Sequence, residues 1–370
     1  MLAGGLALAD DAVKPVTVLT PEHFVVIEQA YDDSAGLWVP ADKLADINGF
    51  VLKPEGVCAG ELCIPLSKQA ADQLVTVQGG RQYINLTRLA ERLQQAVVAD
   101  VEAKVWSFGP VPPLEHAQRE HASAPDFALP DRSGKMVKLS DFRGKKVLLL
   151  TWASWCQCKQ DLVGWQKIYE ELKDKNFEIV AAAQDSDGEA AAGKSYDRAK
   201  ATYTTLIDAE HTVSSLYHMV NVPSGVWIDE QGKIVRPAEV AYSQKVALLS
   251  IKVDGDKYVA ALRDWVNHGD QSSYALPKEE LQQRMARKSE NAALADANFK
   301  LGVYFHQKKD DTRADKYFVE AQKLQPDDWN YHRQQWSFGK DALKNWGEKF
   351  RALGGKEYYE PLQIDPVVKN

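Results

Sequence analysis

Trp152-Ala153-Ser154-Trp155-Cys156-Gln157-Cys158-Lys159 decides how this chain is read. Before it runs Lys146-Val147-Leu148-Leu149-Leu150-Thr151, a continuous apolar stretch of the kind found in a central strand covered on both faces. After it, Leu162, Trp165, Ile168, Tyr169 and Leu172 recur at helical spacing between Asp161 and Lys173. Cys156 therefore stands where a buried strand hands over to a helix. Free amides and the positive end of the helix dipole stabilise a thiolate at such a place, and the thiolate is the nucleophile of disulfide exchange.

A single residue, Gln157, separates the two cysteines. In an α-helix, residues two apart point roughly 200° away from each other around the axis. Cys156 and Cys158 can bridge only if Cys156 lies in the turn before the helix and the first turn is distorted. A disulfide in so small a ring is expected to be strained and readily reduced.

Strands and helices alternate onward to about Gly269, as an α/β fold requires. Phe177-Glu178-Ile179-Val180-Ala181-Ala182-Ala183 predicts a second buried strand. Gly225 to Asp229, the turn at Gly232 and Ile234 to Arg236 predict a strand, a tight turn and a returning strand.

Four motifs now fall in order: Ala124-Pro125-Asp126-Phe127, Leu139-Ser140-Asp141-Phe142-Arg143-Gly144-Lys145, the Trp152 to Cys156 segment, and Asn221-Val222-Pro223-Ser224-Gly225-Val226-Trp227-Ile228-Asp229. Together they resemble the TlpA/ResA-like redoxins, which have the thioredoxin fold and stand beside the AhpC/TSA peroxiredoxins. The likeness departs from the family in its cysteines, which are Cys-x-Cys here and Cys-x-x-Cys there. It implies a thiol-disulfide oxidoreductase without cofactor or metal. Cys156 would be the exposed attacking cysteine and Cys158 the resolving one. Trp155, Val222 and Pro223 would form the substrate face, with a cis Val222–Pro223 bond leaving the Val222 backbone free to pair with an extended substrate segment. Partners would be protein or small-molecule thiols and disulfides, and a reductant.

Two other readings compete. A thiol peroxidase of the AhpC/TSA type would use Cys156, but that family places Thr and Pro where this chain has Ala153 and Leu149. A non-catalytic scaffold or soft-metal site would use both thiols, but two thiolates leave a tetrahedral site unfinished. His211 and His218 are ligand candidates by proximity to the Pro223 loop alone.

The 370 residues contain four cysteines, too few for a disulfide scaffold. Cys58 and Cys63 form the second pair, flanked by Gly56 and Gly60. They are read either as a local disulfide closing a loop or as a second redox pair that exchanges electrons with Cys156. Around them, residues 16–109 are read as an α+β accessory domain. Leu37 to Ala45 and Gln82 to Ala90 both look like a short aromatic-led strand entering an apolar-faced helix. These two stretches resemble the copper amine oxidase N-terminal-like modules.

The Pro-rich and charged stretch 110–121 predicts an extended linker, and 122–275 the thioredoxin-like domain. Residues 276–370 read as an α-helical segment in which Leu301, Gly302, Phe305, Ala314, Phe318, Ala321 and Pro326 resemble a tetratricopeptide repeat. One repeat cannot bury its own faces, so helices near Glu279 to Ala293 and Lys340 to Leu353 are expected to cap it, making intramolecular packing the first reading and a protein-interaction surface the second. The fold class is α/β: a central thioredoxin-like fold, an N-terminal α+β domain and a C-terminal helical segment.

A net charge of −7 with interspersed lysines and arginines argues against nucleic acid or an anionic membrane as partner. No run approaches the roughly 20 apolar residues of a membrane span. Residues 1–15 read as a disordered start or as the remnant of a signal peptide. The absence of a basic n-region favours the cytoplasm, and a remnant would place the protein in the periplasm.

Overall fold

The computed structural model describes residues 15–66, 74–248, 251–285 and 290–367. The start read as a disordered segment or signal remnant lies outside these, apart from residue 15. Two compact units divide at residues 114 and 115.

In the first unit, β1 (Val16–Leu19), β2 (Phe24–Ile27), β3 (Tyr31–Asp33) and β4 (Gly36–Pro40) lead into the short helix α1 (Leu44–Asn48). A three-stranded meander follows, β5 (Val51–Lys53), β6 (Gly56–Ala59) and β7 (Leu62–Pro65). Then come β8 (Val75–Gln78), β9 (Arg81–Asn85), helix α2 (Leu86–Leu93), β10 (Val97–Asp100) and β11 (Val105–Phe108). The two stretches that look alike in sequence have a common local architecture. The β3–β4 hairpin feeds α1, the β8–β9 hairpin feeds α2, and β4 pairs antiparallel with β9 through Trp38–Asn85 and Val39–Ile84. Asn85 caps α2, accepting the Arg88 amide on its side chain. Leu37, Val39, Leu44, Ile84, Leu86 and Leu89 supply the shared core.

Helix α3 (Pro112–Glu120) occupies the stretch expected to be extended. Pro112 and Pro113 fall in its first turn, where proline's missing N–H and fixed φ are tolerated, so the prolines start a helix here instead of preventing one.

The second unit opens with β12 (Ala128–Pro130) and β13 (Met136–Lys138), then builds a five-stranded sheet. Its members are β14 (Lys146–Trp152), β15 (Phe177–Ala183), β16 (Thr204–Ile207), β17 (Ser224–Ile228) and β18 (Ile234–Val240), in the order β16-β15-β14-β17-β18. β14, β15 and β16 run parallel, β17 pairs antiparallel with β14, and β18 pairs antiparallel with β17. Helices α4 (Leu162–Leu172), α5 (Glu189–Ala199), α6 (Thr212–Tyr217) and α7 (Gly255–His268) cover it. Leu148, Leu150 and Trp152 of β14 pack with Leu162, Trp165 and Trp265, while Val147 and Leu149 face Val180 and Val213. That division is the period of two expected of a strand buried on both faces. The hairpin β19 (Val246–Leu248) and β20 (Ile251–Val253) precedes α7.

After α8 (Lys278–Arg284), α9 (Glu290–Gln307) and α10 (Asp311–Leu324) form an antiparallel helical hairpin, followed by α11 (Trp329–Ser337) and α12 (Ala342–Arg351). Gly302 lets the hairpin close: a Cβ there would meet the Phe318 ring at 2.6 Å. The hairpin packs on the domain built around the five-stranded sheet. Lys300 is buried and its Nζ donates to the Glu210 carbonyl at 2.7 Å, while His211 meets Phe299 edge to face. Among the described residues no helix is long and apolar enough to cross a membrane.

Candidate functional site

Cys156 ends the loop after β14 in an extended conformation and caps a 3-10 turn over Gln157–Gln160, with α4 beginning at Leu162. This is the distorted first turn that a Cys-x-Cys bridge needs. Cys156 and Cys158 are disulfide-bonded with their Cα atoms 5.1 Å apart. Cys156 Sγ also accepts the Cys158 amide at 3.1 Å. Opposite lies the loop before β17, with a cis Val222–Pro223 bond and the Val222 carbonyl oxygen 3.6 Å from Cys156 Sγ.

Two expectations are overturned here. Cys156 is not exposed: its relative accessibility is 2%. Nor is the Val222 backbone free, since its N–H donates to the Asn221 side chain at 3.0 Å and its carbonyl accepts the Tyr359 hydroxyl at 2.9 Å. The N–H is taken within its own loop, whereas the carbonyl is taken by the C-terminal segment, which lies over the site. Arg333 on α11 stacks on Trp155 at 4.6 Å and donates to the Trp155 carbonyl and the Tyr358 hydroxyl. The Asn330 side chain donates to the Met219 carbonyl, and the Trp329 amide to that of Val220.

Gln334, also on α11, joins several parts. Its carbonyl oxygen accepts from Trp155 Nε1 at 3.1 Å, from the Ser186 amide at 3.3 Å and from His211 Nε2 at 3.0 Å. The His211 ring thus carries its proton on Nε2, and burial lowers its pKa to about 4. His218 Nε2 faces Glu115 at 3.5 Å. Both histidines thus engage protein partners through Nε2.

Two acids frame the motif. Asp161, at the start of α4, accepts the Ser243 amide and hydroxyl, both at 2.6 Å, and burial raises its pKa to about 6. Gly164 makes room for that clamp, since a Cβ there would lie 1.8 Å from Ser243 Oγ. Asp185, beyond β15, accepts the Ser154 amide and hydroxyl and is likewise pushed up by burial to about 6. Sequence reasoning missed Asp161, Asp185, Arg333, Gln334 and Tyr359. The signal for α11 was there in Asp328, whose side chain caps the helix after Pro326.

Cys58 and Cys63 face each other across the β6–β7 hairpin and are disulfide-bonded, with Cα atoms 4.1 Å apart. This is the local closure read from the flanking glycines. With both sulfurs bonded, the neighbouring Glu55 has no thiolates to share a metal with.

A buried strand, a dithiol turn and a cis-proline loop facing it define a thioredoxin-fold redoxin. Residues 121–236 match the AhpC/TSA family. The chain is 35% identical over 122 residues to the thioredoxin-like protein YneN of Bacillus subtilis, covering 31% of this chain and 69% of that protein. It is also 31% identical over 116 residues to the thiol-disulfide oxidoreductase ResA of Bacillus thuringiensis, 30% of this chain and 65% of that one. Among solved structures it is similar to a thiol:disulfide interchange protein DsbE described as putative from Chlorobium tepidum, at 35% identity, over 32% of this chain and 82% of that one, with a TM-score of 0.30. Through this domain the chain belongs to the AhpC/TSA family of thioredoxin-like redoxins. It spans 65% of the length of the first curated relatives it matches.

Proposed function

We propose that this protein is a thiol-disulfide oxidoreductase with Cys156 as nucleophile and Cys158 as resolving thiol. The observation that carries the reading is the cap: Cys156 Sγ accepts the Cys158 amide at the start of the turn. After reduction the same amide would donate to a thiolate, and a charged acceptor gains more from that bond than a neutral one. Asp161 borders the same turn, and its raised pKa suits it to hold or release a proton near neutral pH as the thiols change state.

The relatives named thiol-disulfide oxidoreductases support the same chemistry. Substrates would be thiols and disulfides, with a separate reductant returning the pair to the dithiol. Cys58–Cys63 serves as a hairpin staple. The helical segment resembles a tetratricopeptide repeat and packs within the chain; the N-terminal unit resembles copper amine oxidase N-terminal-like modules and acts as an accessory part.

Dithiol-dependent disulfide reduction by wild-type protein and Cys156→Ser tests this. Activity should vanish in the variant, and unchanged activity would refute the nucleophile assignment. Peroxide consumption coupled to a Cys156 sulfenic acid, with no disulfide reduction, would favour the peroxidase instead.

A further inference from the structure

We propose that Cys156 exchanges with low-molecular-weight disulfides carrying an aromatic body and a carboxylate, taken up in the cleft beside it, in preference to extended polypeptide. This rests on the thiol-disulfide reading above and specifies its substrate.

A polypeptide docked as an added strand draws its affinity from main-chain hydrogen bonds. The edge that would supply them at Val222 is already satisfied on both sides, by Asn221 and by Tyr359. A different approach to Cys156 is open. A cleft of about 610 Å³ reaches it, walled by Trp155, Tyr242, Trp336 and Trp346, with Leu343 exposed at 82% on its border. That volume falls within the roughly 300–1,000 Å³ of small-molecule sites. The ring faces offer stacking to an aromatic ligand.

Charge refines the choice. Arg333 lines the cleft, and among the described residues it makes no ion pair with a carboxylate. Its guanidinium lies over Trp155 and donates to neutral oxygens, so a ligand carboxylate would meet an unneutralised cation. Asp161, the acid on the same wall, has both carboxylate oxygens engaged by Ser243. The other polar side chains of the wall are the neutral amides of Gln157, Gln160 and Gln244 and the Tyr hydroxyls.

The step balances within one turnover. The Cys156 thiolate of the reduced protein attacks one sulfur of the ligand disulfide, forming a mixed disulfide and releasing the first ligand thiolate. The Cys158 thiolate then attacks Cys156 Sγ, closing the Cys156–Cys158 bond and releasing the second. The protein dithiol loses two electrons and two protons, and the ligand disulfide leaves as two thiols.

Full-length protein, reduced with dithiothreitol and desalted, is mixed in excess with dithiobis(nitrobenzoate), hydroxyethyl disulfide or insulin, and each rate is divided by that of glutathione thiol under the same conditions. The aromatic disulfide should exceed both others by about tenfold or more, the ratio that ~1.4 kcal/mol of ligand recognition produces. Trp346→Ala, checked for folding by circular dichroism, should raise its half-saturating concentration several-fold. Equal normalised rates for the two small disulfides, or insulin reacting as fast as the aromatic one, would overturn the substrate assignment. Loss of reaction with all three, or its persistence in Cys156→Ser, would overturn the thiol-disulfide reading itself and the inference with it.

Discussion

The Tyr359 hydroxyl donates to the carbonyl of Val222 at 2.9 Å, so a residue of the C-terminal segment occupies the backbone edge beside the Cys156–Cys158 disulfide. The neighbouring ring of Tyr358 packs edge to face with Trp329 and receives a hydrogen bond from Arg333. Cover and site are therefore one packed structure, and perturbing either is felt at the other.

Cys158→Ser should arrest exchange after its first half. With no resolving thiol, Cys156 retains the substrate as a mixed disulfide, and mass spectrometry of the non-reduced protein should show one adduct per chain. Full turnover by this variant would show that another thiol resolves Cys156.

Gln334→Leu removes the acceptor shared by Trp155, Ser186 and His211. Leaving buried donors unsatisfied costs about 1–3 kcal/mol each before relaxation, so denaturant unfolding should show a loss of several kcal/mol. Gln334→Glu acts differently. A carboxylate facing His211 Nε2 should raise the imidazole pKa above its value of about 4, observable by NMR titration.

Gly164→Ala should destabilise the protein even though alanine is the better helix former by about 1 kcal/mol. The new methyl would lie 1.8 Å from Ser243 Oγ and push it off Asp161. Overpacking of this kind costs about 1–3 kcal/mol, measured as a lower unfolding midpoint.

Asp161 holds its proton more tightly in the folded chain, at about 6, than at the ordinary 3.8. Its contribution to stability is thus full below the ordinary value and declines as pH rises through about 6. Asp161→Asn removes that decline. The stability difference between wild type and variant should move in the variant's favour as pH rises from about 4, levelling off above the raised pKa of about 6. A pH-independent difference would show that Asp161 does not titrate in this range. Subtracting the variant also cancels His211, whose lowered pKa acts in the opposite sense: its stability is lost as pH falls below its ordinary value towards about 4.

Much of the redoxin domain was legible because its signals are local. The apolar run from Lys146, the helical spacing after Asp161 and the alanine-rich strand at Phe177 became β14, α4 and β15 within a residue or two. One-residue spacing and helix geometry required a distorted first turn if Cys156 and Cys158 were to bridge, and left open whether they did. Gly302 and Phe318 both stand in the repeat-like pattern, and Phe318 fills the space that Gly302 leaves. Helix α11 escaped notice because its inward face is built of Trp329, Asn330, Tyr331 and Gln334, half of it polar, so hydrophobic periodicity does not mark it. Prolines at 112 and 113 misled in the other direction, since their effect depends on whether they open a helix or interrupt one.

Local pattern was thus enough for the thioredoxin-type strand-turn-helix and the helical character of the C-terminal quarter. Tertiary structure decided what the pair faces. The burial of Cys156, the occupied edge at Val222, the acids at Asp161 and Asp185 and the aromatic cleft all arise from residues far apart in the chain. Trp155 and Gln334, for example, are bonded across 179 positions. The physical reason is range: periodicity and spacing report on neighbours along the backbone, whereas accessibility, proton affinity and the shape of a cleft depend on which distant side chains fill the space around an atom.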